Sequence, residues 1–108
     1  MVPENGSGSP SGQGSGKVNA AAHMERIASL GCVVCRRILG RTYTPAEVHH
    51  ISDSSDRSDW LTIPLCTEHH RGATGFHGLG ERAFDRTYKT SELRLLGMTI
   101  QDLAHADR

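Results

Sequence analysis

The chain is poor in aromatic residues, with two Phe, two Tyr and one Trp in 108 residues, so whatever core it builds is thin. Domains of this size commonly lean on a disulfide, a metal or a partner for stability. It lacks any apolar run long enough to span a bilayer and has no start of the secretory kind, which points to one small soluble domain. It also lacks an even number of cysteines: three, with no signal peptide, argue against a disulfide framework and for thiolates kept reduced as ligands, so the expected compartment is the cytoplasm. Excess charge of either sign is missing too, since 12 Lys and Arg balance 12 Asp and Glu. A bulk electrostatic pull toward nucleic acid is thereby excluded, and any such contact has to be a local patch.

What is present is unevenly spread. Residues 1–17 include nine Gly or Ser and read as a flexible tail whose ordering entropy nothing offsets, leaving 18–108 to fold. Ala20, Met24, Ile27 and Ala28 recur at helical spacing and Gly31 stands at the C′ stop, predicting a helix over Val18 to Leu30. A short strand is expected at Ala46 to Ile51 and a second in "LTIPLC", joined by the polar "SDSSDRSDW". Because Pro64 cannot donate to a ladder, the second strand belongs at an edge. A helical turn carries "TEHH", and "RGATGFHGLG", with four Gly in ten residues, reads as a loop. Glu81 to Lys89 is a helix with Ala83, Phe84 and Tyr88 inward. In "SELRLLGMTIQDLAHA" the expected apolar face is Leu93, Leu96, Ile100 and Leu103, with a break near Gly97 and Thr99 capping the second half.

The chemistry concentrates in cysteine and histidine. Cys32-x2-Cys35 and Cys66-x2-His69 are two pairs of equal spacing, the donor set of a closed tetrahedral zinc site. The competing view, three Cys as small buried hydrophobes, does not account for the matched spacing. A structural zinc would supply the folding free energy that the core lacks. Two tandem pairs, His49-His50 and His69-His70, flank the strand region, and His77 follows in the Gly-rich stretch. Adjacent residues on a strand face opposite ways, so one ion does not take both His49 and His50. A division of labour follows, with one imidazole as a ligand and the other as a base near neutral pH. His23 and His105 lie in predicted helices away from this group and read as surface or packing residues.

The order "GCVVC", "EVHHI", "DWLTIPLCTEHHRG", "GFHG" resembles the HNH nuclease superfamily, and is most similar to the phage recombination-enhancement nucleases, described as RecA-dependent, over about residues 19–88. The resemblance implies an α+β fold: a small zinc-stabilised ββα-metal core with flanking helices. It implies a DNA endonuclease that hydrolyses phosphodiester bonds, with DNA and a RecA filament as partners. In its terms His50 is the general base, and His49, His70 and His77 hold a catalytic ion. An all-His set suits Zn, Mn, Co or Ni, and Mg where waters complete the shell. The sequence departs from the family pattern in having no Asn between His50 and His70; Asp59, Trp60 and Thr62 stand as candidates for its place. Arg36, Arg37, Arg41, Arg71, Arg82, Arg86 and Lys89 are the candidate phosphate contacts, diluted by Glu81, Asp85 and Glu92. The alternative from another class is a non-catalytic zinc module that binds nucleic acid or protein, and a third is a nuclease-like domain whose catalysis has decayed.

Overall fold

A computed structural model describes residues 19–52 and 57–106, so the Gly/Ser-rich tail and part of the polar connection lie outside the described residues. The first element, helix α1 (Ala20–Ser29), begins where Asn19 places its side-chain oxygen 2.9 Å from the Ala22 N–H, satisfying one of the amide donors left over at a helix start. It ends before Gly31, whose φ of +82° favours a residue without Cβ, and where a Cβ would also run into the Tyr43 ring at 2.6 Å. "CVVC" then enters a single π-helical turn, Val34–Ile38, in which the Leu39 N–H reaches the Val34 carbonyl at 2.9 Å. Cys32, Val33, Val34 and Cys35 are all buried there.

Strand β1 (Glu47–His50) pairs antiparallel with β2 (Thr62–Leu65), with Glu47 opposite Leu65 and His50 opposite Thr62. The sheet has two strands, so Pro64 costs no bond to a further neighbour. Both α1 and the last helix pack against β2, and β2 is buried along its whole length. Helix α2 (Thr67–Arg71) follows directly, so the chain runs strand, strand, helix through the centre of the molecule. The Gly-rich stretch is not wholly a loop: Phe76–Leu79 forms a short helix, α3, because Phe76 turns into the core and anchors it. Gly75 makes this possible, since a Cβ there would collide with the Glu68 carbonyl and the His69 backbone. Helix α4 (Glu81–Tyr88) stops at Lys89, held in the left-handed region at φ 55°.

The last segment departs most from expectation. Helix α5 (Glu92–Ala106) is continuous through Gly97, and its buried face is Glu92, Leu95, Leu96 and Thr99, while Leu93 and Ile100 point outward at 63% and 56% exposure. Thr99 caps nothing: its hydroxyl donates to the Leu95 carbonyl at 2.8 Å inside the helix. The side chains of Ile63, Leu65, Phe76, Phe84, Leu95 and Leu96 form one core with the cysteines. Phe84 stacks on Phe76 with ring centroids 3.7 Å apart.

Two candidate metal centres

The first cluster joins the turn after α1 to the start of α2. Cys66 is the N-cap of α2 and His69 lies one turn on, so the two share a face; the π-helical turn brings Cys32 and Cys35 opposite. All four are buried. His69 Nδ1 lies 3.6 Å from Cys32 Sγ, 3.6 Å from Cys35 Sγ and 3.1 Å from Cys66 Sγ, and the Cys35 and Cys66 sulfurs are 3.9 Å apart. Tetrahedral ligands at zinc–sulfur and zinc–nitrogen bond lengths are separated by about 3.3–3.8 Å, so the donor atoms already stand close to the spacing that a zinc ion asks for. Burial pushes the Cys32 thiol up to about 12. Burial also raises Cys35, but hydrogen bonds from Thr44, Cys32 and Cys66 and the Arg41 charge outweigh it and leave that thiol lowered. His69 is held below the usual imidazole range by burial and by Arg41, against the pull of Glu68. It is therefore a neutral donor near pH 7, the form a metal needs. The cluster could hold a metal such as zinc.

The second cluster draws one imidazole each from β1, α2 and α3: His49, His70 and His77 bring their donor atoms within 4.8 Å of one another. The rings meet edge-on, with centroids 5.1 Å apart for His49–His70 and 4.8 Å for His70–His77. Phe76 stacks on His49 at 4.9 Å with the rings 8° from parallel, tying that imidazole to the core. Burial, reinforced by His49 and His77, keeps His70 below its ordinary value although Glu47 pulls the other way.

Each of two ring nitrogens in this cluster meets a carboxylate, one from Glu47, which the sequence reading did not name, and one from Glu92, which it named only as a charge diluting the arginines. Glu47 Oε1 is 2.8 Å from His70 Nδ1 and Glu92 Oε2 is 2.6 Å from His49 Nε2. Strand alternation could have flagged Glu47, which sits two residues before His49 and so on its face. Glu92 had no local signal, because its partner is 43 residues away.

His50 takes the other side of β1. Its Nε2 is 2.8 Å from Asp59 Oδ1, so of the three residues considered for the vacant Asn position Asp59 is the one in contact. Thr62 turns its hydroxyl to the Asp59 carbonyl at 3.1 Å, and Trp60 lies against His23 with ring centroids 4.7 Å apart and planes tilted by 35°. A cavity of about 360 Å³ is lined by His49, His50, Arg57, Phe76, His77 and Glu92 among others. Arg57, which the sequence reading passed over, thus lines the cavity with the histidines.

Of the nominated arginines, Arg71 shares the Glu47 carboxylate with His70, and none lines the cavity. Arg36 and Arg37 pair with Asp102 of α5 at 2.9 and 2.7 Å, and Arg71 pairs with Glu47 at 2.5 Å. Arg41, Arg82 and Arg86 are exposed, as are Lys89 and His105. Among the described residues no helix is long and apolar enough to cross a membrane.

Fold and clusters together define a small α+β protein with two sets of side chains able to hold metal ions. No curated protein and no solved structure gives a significant match. The pattern that defines the recombination enhancement, RecA-dependent nuclease family matches residues 19–104, and the chain belongs to that family.

Proposed function

We propose that the chain is a metal-dependent DNA endonuclease of the ββα-metal (HNH) type, with residues 18–108 as the nuclease domain and a structural zinc in the Cys32, Cys35, Cys66, His69 cluster. One observation carries the reading: three imidazoles converge, and two of them, His49 and His77, line a cavity together with a fourth, His50, held by a carboxylate of its own. The strand, strand, helix order of β1, β2 and α2 supports it, because His49, His50 and His70 sit on the first and last of these elements.

His49, His70 and His77 would hold one divalent ion, which supplies Lewis-acid stabilisation of charge on the scissile phosphate. His50 is the general base. With Nε2 engaged by Asp59, its Nδ1 is the atom that accepts a proton from the attacking water. Asp59 keeps the ring from rotating and leaves Nδ1 turned away from it, the orienting part that a carboxylate behind a base plays elsewhere. Arg57 at the cavity and the exposed Arg41, Arg82 and Arg86 supply cationic contacts for the backbone of DNA. Arg36, Arg37 and Arg71 do so only by exchanging their carboxylate partners for phosphate.

A neutral net charge makes binding to bare duplex weak and salt-sensitive. A RecA filament that presents the DNA would raise its effective concentration at the site, which fits the family to which the chain belongs. Three reduced, buried cysteines suit the cytoplasm, where such filaments form. The test is cleavage of plasmid and single-stranded DNA with Mg, Mn or Zn, at matched salt, with RecA and ATP, with RecA alone and without RecA. Metal-dependent cleavage stimulated by the ATP-bound filament is expected. Equal rates in all three arms would remove the RecA dependence, and no cleavage in any would favour a zinc-binding interaction module.

A further inference from the structure

The first residue of α5 is a glutamate on the helix's apolar face. Glu92 is 2% exposed, and a buried carboxylate without partners would cost several kcal/mol on the order of its desolvation, so its placement calls for compensating donors. They are all present. His49 Nε2 stands 2.6 Å from Oε2, the Ser52 N–H lies 2.9 and 3.1 Å from the two oxygens, and the Ser52 hydroxyl donates to Oε1 at 2.6 Å. The N-terminal end of α5 adds the favourable end of the helix dipole. Both oxygens already accept from the Ser52 N–H and Oε1 also from the Ser52 hydroxyl, so toward His49 the carboxylate stands as an acceptor.

With its oxygens committed as acceptors of the Ser52 donors, Glu92 takes a hydrogen from the ring beside it, so the His49 nitrogen facing it is the one that carries hydrogen. Resting on the three-histidine metal reading above, we infer that Glu92 is a positioning residue: it holds His49 as the Nε2–H tautomer and so reserves Nδ1 as the nitrogen that a metal ion meets. His70 is set the opposite way, since its Nδ1 faces Glu47 and Nε2 is the nitrogen left over. Through Ser52, Glu92 also ties down the start of the connection that leads to Asp59, the partner of His50. A helix remote in sequence from both His pairs thereby reaches the geometry of the centre.

Two measurements test this without relying on cleavage. Long-range proton–nitrogen correlations on the full wild-type chain, before any addition to the three-histidine centre, should show His49 protonated at Nε2 and His70 at Nδ1. Calorimetric titration with Ni²⁺, after dialysis against metal-free buffer, should show the weaker of the two centres losing about 10- to 100-fold in affinity in Glu92→Gln, the range for removing the carboxylate behind a ligating imidazole. A wild-type His49 protonated at Nδ1 would overturn the inference, and so would an unchanged Ni²⁺ affinity in a folded Glu92→Gln chain. Should that variant not fold, the tautomer of the wild type decides alone. Wild-type protein that takes up no Ni²⁺ at this centre while His49 is protonated at Nε2 would instead sink the metal reading and leave tautomer control by Glu92 standing.

Discussion

Replacing Cys35 by Ser asks whether the buried thiols are ligands or only small apolar side chains. Cys35 is 1% exposed, 3.6 Å from His69 Nδ1 and 3.9 Å from Cys66 Sγ. Structural zinc contributes about 10–16 kcal/mol to folding in small zinc-bound peptides, comparable with or larger than the net stability of roughly 5–15 kcal/mol of a whole domain. A hydroxyl does not replace a thiolate as a zinc ligand, so at least a quarter of that contribution, about 2.5–4 kcal/mol, is removed with one of four donors. At about 4–8 °C per kcal/mol for a domain of this size, Cys35→Ser should melt roughly 10–30 °C lower, with a matching loss of bound zinc. The alternative, a core of unliganded thiols, also predicts a cost of about 1–3 kcal/mol for burying a hydroxyl, so the melting temperature alone does not separate the two. A chelator does: it should destabilise the wild type strongly and the variant hardly at all. Thermal denaturation followed by circular dichroism, with metal content measured on the same samples, reads both. A wild type that melts at one temperature with and without chelator, and a variant that keeps its full zinc, would refute the structural-metal reasoning.

In cleavage assays His50→Ala should lose about 10² to 10⁴ in rate with folding and metal content near wild type, whereas His49→Ala should lose the second ion; interchanged results would reverse the two roles. Asp59→Ala removes a single, solvent-accessible hydrogen bond to His50 and should slow cleavage by about 3- to 10-fold, with Asp59→Asn closer to wild type because its oxygen still accepts; equal, unaltered rates in both would deny Asp59 any part in holding the base. Phe84→Ala should cost about 3–5 kcal/mol by denaturant unfolding, since the ring is fully buried between Phe76 and Tyr88, and a loss under about 1 kcal/mol would show that this core is not close-packed.

The readable parts of the site were those written in short spacings. Cys32-x2-Cys35 and Cys66-x2-His69 each place two donors on one turn, and the pairing of the two motifs needs only that the chain between them return on itself. Helix α1 carried its own start and stop in Asn19 and Gly31, and the β1–β2 pair announced itself by β-branched residues around a polar connection. The last helix was misread for a physical reason: with leucines at 93, 95, 96 and 103, more than one stripe of helical period is available. Only the position of β2 and α1 decides that Leu95 and Leu96 go inward with Glu92 and Thr99. The helix Phe76–Leu79 was missed because four glycines argue for a loop, while burial of Phe76 against Phe84 outweighs their entropy.

Residue types and local spacing by themselves determined the donor set: three thiols and an imidazole for one cluster, and a supply of further imidazoles on a strand, a helix and a Gly-rich segment. They determined the small size of the core and the absence of a charge excess as well. Tertiary structure alone decided which carboxylate stands behind which imidazole. Glu47 to His70, Glu92 to His49 and Asp59 to His50 span 23, 43 and 9 residues, and Asp102 likewise claims Arg36 and Arg37 from across the chain. A hydrogen bond of this kind depends on distances of a few tenths of an ångström between elements that meet only after packing, and no periodicity along a chain encodes them.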